Sequence, residues 1–86
     1  MLLGKIFKNL KKEYKNINFE NIRFNSKDCK LNDIFFAIDG NFFKGRNYIK
    51  DAINNGARII ISNSKFEGFN EKKILFLYSS NPRKLL

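Results

Sequence analysis

Three short apolar runs constrain the fold of this chain more than any other feature. The first, Ile34–Ile38, has no polar interruption and ends at Asp39-Gly40. Residues 58–61 and 74–78 form the other two, and Ile, Leu and Phe dominate both. Strands that are buried on both faces have this continuous apolar composition, whereas half-exposed strands alternate. The runs therefore predict three buried strands.

A helix is predicted between the first two runs. Four residues recur there at the spacing of one helix face: Tyr48, Ile49, Ala52 and Ile53. Gly56 stands where a helix C-terminal stop is expected, so the helix should cover about residues 46–55. A strand, a helix and a second strand in this order predict a parallel βαβ unit with a right-handed crossover.

The amino-terminal third of the chain adds a helix, a strand and a loop. Helical spacing predicts an amphipathic helix over about residues 2–15. The apolar residues with this spacing are Leu3, Ile6, Phe7, Leu10 and Tyr14. The Lys residues on its other faces fit a solvated surface, and they also fit contact with a membrane or nucleic acid. Ile22 and Phe24 alternate with polar residues, which favours a short half-buried strand before the polar loop 25–33.

These elements predict an α/β fold: a small, mainly parallel sheet of about four strands with helices packed on it. Residues 62–73 are turn-rich and connect the second and third apolar runs. Asn81 and Pro82 suit the N-cap and first position of a further helix, which the sequence cuts off at Leu86. We expect the natural chain to continue beyond this point. Eighty-six residues, 43% of them hydrophobic, suffice for one small domain with a modest core.

Charge and cysteine usage limit the possible functions. The formal net charge of +9 fits an anionic partner such as nucleic acid, a phosphorylated small molecule or a membrane surface, and it also fits plain solvated Lys. Cys29 is the single Cys and there is no His, so a disulfide framework, a Cys cluster and a His general base are excluded. The sequence contains no signal-peptide core and no membrane span, and we expect a cytoplasmic protein.

The segment Gly40–Asn47 invites comparison with a phosphate-binding P-loop. Arg46 stands where a P-loop has its Lys, and Asn47 stands where it has the Ser or Thr that holds magnesium. An ATP-binding P-loop is therefore not expected. Two readings stay open: a helix start that attracts an anion with help from Lys44 and Arg46, or a plain strand-to-helix turn. Phe42 and Phe43 can stack on a nucleobase or pack onto the sheet edge.

Ser26 lies just past the end of the first predicted strand. Ligand-binding groups collect at such positions in α/β sheets. Without a His partner, Ser26 is not an activated nucleophile. The local sequence around it favours a hydroxyl that stabilises a turn. The eight carboxylates show no spacing typical of a metal site or an acid–base pair.

An ordered series of short motifs runs through the middle of the chain. They are Asn25-Ser26-Lys27, Asn32–Ala37, Gly40–Ile49 and Ala52–Ile61. In this order they resemble the amino-terminal domain of the Mur ligases of bacterial cell-wall synthesis. The family has Asp-Ser-Arg, Gly-Asp before a Phe-Val-Ala strand, Gly-x-x-x-Asp-Gly, and Asn-Gly-Ala before a final strand. Asn25 and Lys27 depart from its Asp and Arg, and Lys44 replaces its second Asp with the opposite charge.

The resemblance implies a function that the residues alone do not. Such ligases form an amide through an acyl phosphate, and their ATP and Mg²⁺ sites lie in other domains, so no catalytic residue, metal ligand or cofactor is expected within residues 1–86. Residues 1–80 would be a domain that binds the UDP end of a UDP-N-acetylmuramoyl peptide, and residues 81–86 would lead into a central ATP-binding domain. The residues carried over for substrate binding are Phe24, Ser26, Asn41, Phe42 and Phe43. By themselves these 86 residues would be inactive.

Asn81-Pro82-Arg83 resembles the helix opening of the family member that adds the third amino acid, UDP-N-acetylmuramoyl-L-alanyl-D-glutamate ligase. The partners implied are its UDP-N-acetylmuramoyl-dipeptide substrate and the other domains of the parent chain, without nucleic acid or membrane insertion. Three alternatives remain: the related ligase that adds the D-Ala-D-Ala dipeptide, a small basic nucleic-acid-binding module, and a stand-alone interaction domain.

Overall fold

A computed structural model describes residues 1–5, 7, 10–37, 45–62 and 67–78 of the chain. Its strands are β1 (Ile22–Arg23), β2 (Ile34–Phe36), β3 (Ile59–Ser62), β4 (Gly68–Phe69) and β5 (Leu75–Tyr78). Its α-helices are α1 (Lys12–Lys15) and α2 (Ile49–Asn54). Turns of 3₁₀ helix cover Leu3–Lys5, Ser26–Asp28 and Gly45–Tyr48.

The strands form one sheet in the order β1-β2-β3-β5-β4. The first four of these are mutually parallel, with Ile34 opposite Ile59 and Ile59 opposite Leu75. The mainly parallel α/β fold is therefore confirmed, and the three apolar runs lie in β2, β3 and β5. The strand count differs, because β4 pairs antiparallel with β5 inside the segment predicted to be a plain connection. Two residues, one of them Gly68, are too few to show the alternation that predicts a strand.

Both faces of the sheet are covered, which explains why the central strands are continuously apolar. On β2, Phe35 and Ala37 pack towards α2, and Ile34 and Phe36 pack towards the amino-terminal segment. The layer on the amino-terminal side contains Leu3, Phe7, Tyr14, Phe19, Ile59, Ile61, Leu75 and Leu77. The layer under α2 contains Cys29, Ala52, Ala57, Ile60 and Ile74.

The single helix predicted over residues 2–15 is wrong. A 3₁₀ turn at Leu3–Lys5 and the short α1 are separated by residues 10 and 11, which are not helical, while Ile6 lies outside the described residues. The two pieces run side by side: the Leu3 N–H donates to Ile17 O at 2.9 Å, and a Cβ on Gly4 would lie 2.9 Å from Lys15 Cβ. Of the apolar residues with this spacing, Leu3, Phe7 and Tyr14 are buried and Leu10 is partly buried, but the spacing did not predict the reversal of the chain.

The helix predicted over residues 46–55 is confirmed in position. A 3₁₀ turn at Gly45–Tyr48 leads into α2, and the backbone turns at Gly56 with φ of +117°. A Cβ on Gly56 would lie 2.6 Å from the backbone N of Leu31, so the site accepts only Gly. The helix predicted from Asn81 lies outside the described residues.

No helix in the described part of the chain is long and apolar enough to cross a bilayer.

Candidate ligand-binding edge of the sheet

The parallel strands direct their carboxyl ends to one edge of the sheet, here called the carboxyl edge. In open α/β sheets, ligands bind in the crevice outside this edge. Phe24 follows β1 directly, and Ser26 lies two residues further on. Asn41, Phe42 and Phe43 follow β2 in sequence, but they lie outside the described residues.

Phe24 combines an apolar contact with an exposed surface. Its ring centroid lies 5.6 Å from that of the fully buried Phe36, at an angle of 41°. The residue is nevertheless 54% exposed, so part of the ring is open to solvent. An aromatic side chain supported from beneath in this way offers a rigid apolar surface to a ligand.

Ser26 is held against α2. Its hydroxyl donates a hydrogen bond to Asp51 Oδ2 at 2.8 Å, and its backbone O accepts one from Asn55 Nδ2 at 2.9 Å. The residue is only 3% exposed. The turn-stabilising bond that the sequence suggested for Ser26 comes instead from Asn25, whose Oδ1 accepts from the Lys27 N–H at 3.0 Å.

Asp51 and Asn55 were not among the predicted site residues. Asp51 lies in the first turn of α2 and Asn55 caps its carboxyl end, so the two side chains are four residues apart on one helix face. The sequence does carry a signal for them, since two polar residues at this spacing form a stripe beside the apolar one. It does not show which distant residue they contact.

Asp33 is a second unpredicted centre of hydrogen bonding. Its carboxylate is fully buried and accepts from Asn21 N at 3.1 Å, Lys30 N at 2.9 Å and Arg23 Nε at 3.0 Å. Burial acts to raise the pKa of Asp33, but these hydrogen bonds outweigh it and hold that pKa below its ordinary value. The group joins β1 to the loop before β2 as a structural carboxylate.

Cys29 is buried under α2 as a protonated thiol. Burial, helped by the negative charge of Asp33, raises its pKa to about 11. A thiol with such a pKa is neither a ready nucleophile nor a ready metal ligand at neutral pH. Within the described ranges, no group of three or more Cys, Asp or Glu residues is arranged to hold a metal ion.

This geometry defines a class of protein: a mainly parallel α/β domain with a candidate ligand-binding edge. Its described part has no cluster of candidate metal ligands. A family model described as "Mur ligase family, catalytic domain" matches residues 18–81. This match covers well over half of the sequence. The chain therefore belongs to the Mur ligase family, as the motif series predicted.

Individual relatives agree with this assignment. The chain is 44% identical over 71 residues to the UDP-N-acetylmuramoyl-L-alanyl-D-glutamate–2,6-diaminopimelate ligase of Clostridium tetani, a match that covers 81% of this chain and 15% of that protein. It is 39% identical over 64 residues to the UDP-N-acetylmuramoyl-tripeptide–D-alanyl-D-alanine ligase of Rickettsia prowazekii, covering 74% of this chain and 14% of that one. The sequence thus spans about one seventh of the length of these relatives.

A solved structure supports the fold. The MurF ligase of Thermotoga maritima, crystallised in complex with ADP, superposes with a TM-score of 0.62 at 26% sequence identity. The superposition covers 74% of this chain and 14% of the other. The mixed α/β architecture with a mainly parallel sheet is therefore shared with a ligase of the same family.

Proposed function

We propose that this chain is the domain of a peptidoglycan-precursor ligase that binds the UDP end of UDP-N-acetylmuramoyl-L-alanyl-D-glutamate while the third amino acid is added. Residues 1–80 form the domain in this proposal, and residues 81–86 lead towards a central ATP-binding domain. One observation carries it: in a member of the Mur ligase family, the segment that follows β1 presents Phe24 at the carboxyl edge of a parallel sheet.

In this proposal, two segments of the chain contact the nucleotide. Phe24 provides an apolar surface, and Ser26 contacts the nucleotide from the same segment. The second segment follows β2 and contributes Asn41, Phe42 and Phe43. A polar side chain such as Asn41 can read the edge of the uracil, and an aromatic ring can cover its face.

The hydrogen bond that the Ser26 hydroxyl already makes limits which groups of a ligand it can contact. Its one proton is donated to Asp51, so only oxygen lone pairs remain for a ligand. Phosphate oxygens only accept hydrogen bonds, so they cannot donate one to these lone pairs. Ser26 therefore contacts a donor group on the nucleotide, such as the imide N–H of uracil or a sugar hydroxyl.

The residues of this chain do not fit ATP and Mg²⁺. The Gly40–Asn47 segment lacks the Lys and the hydroxyl residue of a P-loop at the required positions. The described residues also lack a cluster of candidate metal ligands. In the proposed ligase, nucleotide hydrolysis and acyl transfer belong to other domains, and this chain contributes recognition of the substrate.

The opening Asn81-Pro82-Arg83 favours addition of the third amino acid over addition of the D-alanyl-D-alanine dipeptide, and sequence identity separates the two ligases little. Identity is 44% to the diaminopimelate ligase and 39% to the D-alanyl-D-alanine ligase. The substrates of both begin with the same UDP-N-acetylmuramoyl group, as their names state. Binding at the carboxyl edge is thus expected for either, and the choice concerns the peptide end.

Titration calorimetry on the complete natural protein tests the proposal. UDP-N-acetylmuramoyl-L-alanyl-D-glutamate should bind with one site per chain, and the tripeptide form should bind more weakly. A short DNA duplex at matched concentration is the comparison for the nucleic-acid alternative, because such binding weakens steeply as salt is raised. Salt-sensitive DNA binding without binding of the UDP compound would overturn the proposal.

A further inference from the structure

We infer that Asp51 and Asn55 are positioning residues for the substrate-binding segment that follows β1, an inference that rests on the proposed function. Both side chains bond to the same residue, Ser26, one through its hydroxyl and the other through its carbonyl. These two hydrogen bonds, one to the side chain and one to the backbone of Ser26, fix the orientation of the residue as well as its distance from α2. The segment Phe24–Ser26 is therefore set by the helix as well as by β1.

The attachment also links the segment after β1 to the helical stretch that begins at Gly45. The 3₁₀ turn Gly45–Tyr48 runs directly into α2, and it begins two residues after Phe43 in the chain. Asp51 lies one turn further along. A displacement of α2 would thus move the start of this helical stretch and Ser26 together. Asp51 therefore connects the segment after β1 to the helical stretch that begins at Gly45.

The chemistry of Asp51 makes the inference specific. Asp51 is exposed, yet its Oδ2 accepts a hydrogen bond from the hydroxyl of Ser26, a residue that is almost wholly buried. Without this acceptor the hydroxyl is free to rotate and to donate elsewhere. Because the hydroxyl hydrogen of Ser26 points to Asp51, the Ser26 lone pairs keep one orientation, in which they can accept a hydrogen bond from a donor on the ligand.

Calorimetry on the complete protein with UDP-N-acetylmuramoyl-L-alanyl-D-glutamate tests this with Asp51→Ala and Asp51→Asn. Asp51→Ala should weaken binding by about 3- to 10-fold, because the Ser26 hydroxyl is no longer oriented and the neutral hydrogen bond that it accepts from the ligand is lost. Asp51→Asn should restore binding to within about twofold of wild type, since the amide oxygen still accepts from the Ser26 hydroxyl. A residue that only stabilises the fold would change the melting temperature without this rescue of affinity.

Two comparisons complete the experiment. Asn55→Ala should weaken binding, whereas Asn54→Ala, an exposed neighbour of the same residue type, should not. Because Asp51 acts through Ser26, the double variant Ser26→Ala/Asp51→Ala should bind no more weakly than Ser26→Ala alone.

The outcomes separate the two proposals. If wild type binds and Ser26→Ala is weakened but Asp51→Ala is not, the positioning role is wrong and the proposed function stands. Additive losses in the double variant, or equal losses in Asp51→Ala and Asp51→Asn, also overturn the positioning role. If wild type does not bind the UDP compound at all, both proposals are overturned.

Discussion

The hydroxyl of Ser26 donates a hydrogen bond to Oδ2 of Asp51 at 2.8 Å, which joins the segment after β1 to a helix 25 residues further along the chain. The residue is almost fully buried, although its sequence neighbours are polar and exposed. In the proposed function, this side chain contributes to both the fold and the binding of the substrate, so substitutions there should affect both.

Ser26→Ala should therefore lower stability as well as affinity. Loss of one buried hydrogen bond costs about 0.5–1.5 kcal/mol, and each 1 kcal/mol shifts the melting temperature by roughly 4–8 °C in a domain of this size. The exposed Asp51 can hydrate once its partner is gone, which keeps the loss within this range. Affinity for the UDP compound should fall by about 3- to 10-fold.

Thermal unfolding followed by circular dichroism measures the first effect, and calorimetry well below the melting temperature measures the second. Asn54→Ala is the matched control, because this residue is exposed on α2. An unchanged melting temperature for Ser26→Ala would contradict the buried hydrogen bond. Unchanged affinity in a folded variant would remove Ser26 from the binding site and leave the family assignment intact.

Asp33 should make the protein sensitive to acid. The pKa of its carboxyl group is lower in the folded chain than its ordinary value of 3.8. A group with a lowered folded-state pKa stabilises the protein fully above its unfolded-state pKa, and this contribution is lost as the pH falls through the folded-state value. We expect the free energy of unfolding to be steady from pH 7 to about pH 5 and to decrease below about pH 4.

Urea unfolding at a series of pH values measures this dependence, with Asp33→Asn as the test variant and Asp28→Asn as the exposed control. Asp33→Asn should be less stable at pH 7, because an amide cannot accept all three bonds, and its stability should vary less with pH below 5. If Asp33→Asn and wild type lose stability in parallel as the pH falls, another carboxylate causes the acid effect.

Sequence patterns predicted the strands and helix ends that are determined by residues close together in the sequence. The run Ile34–Ile38 identified β2 because both faces of that strand are covered, and Gly56 identified the end of α2 because the backbone there has positive φ. The positive φ of Asn32, +67°, was not predicted from the sequence, although Asn tolerates this conformation better than most residues do.

Features that depend on distant contacts were not predictable in this way. The helix over residues 2–15 failed because helical spacing does not show where the chain reverses, and the close approach of Gly4 to Lys15 decides that point. The bonds from Ser26 to Asp51 and from Arg23 to Asp33 join residues on different elements. A pattern of residue types identifies such groups as polar without pairing them.

Cys29 should react slowly with thiol reagents while the protein is folded. Its pKa is raised from 9.0 to about 11, mainly by burial, so the thiolate fraction near neutral pH is about a hundredfold lower than in the unfolded chain. Burial at 4% exposure slows the reaction further. Labelling with dithionitrobenzoate at pH 8 should be more than a hundredfold slower in buffer than in concentrated urea.

The same shift predicts a loss of stability in alkali. A raised folded-state pKa stabilises the protein below the unfolded-state value, and this contribution disappears between about pH 9 and about pH 11. Cys29→Ala, which removes the titrating group, should flatten that part of the stability profile. Rapid labelling of the folded protein would show that the thiol is accessible and ionised, contrary to the structure.

Gly56 and Gly68 form a matched pair that separates backbone strain from steric collision. Both have positive φ, +117° and +128°, so Ala at either site adopts an unfavourable conformation that costs about 1–3 kcal/mol. Among the described residues, a Cβ at Gly68 would meet only the Tyr14 hydroxyl at 3.8 Å, an ordinary contact. A Cβ at Gly56 would lie 2.6 Å from Leu31 N and 2.7 Å from Lys30 C, both backbone atoms that cannot rotate away.

Gly56→Ala should therefore destabilise the protein by at least about 1 kcal/mol more than Gly68→Ala, because the loop that contains Lys30 and Leu31 must move as well. Urea unfolding of the two variants beside wild type measures the difference. That loop also carries Asn32, whose N–H donates to Gly56 O at 2.9 Å, so its displacement strains the approach to β2. Equal losses in the two variants would mean that the loop yields freely, and that positive φ alone accounts for the requirement for Gly at position 56.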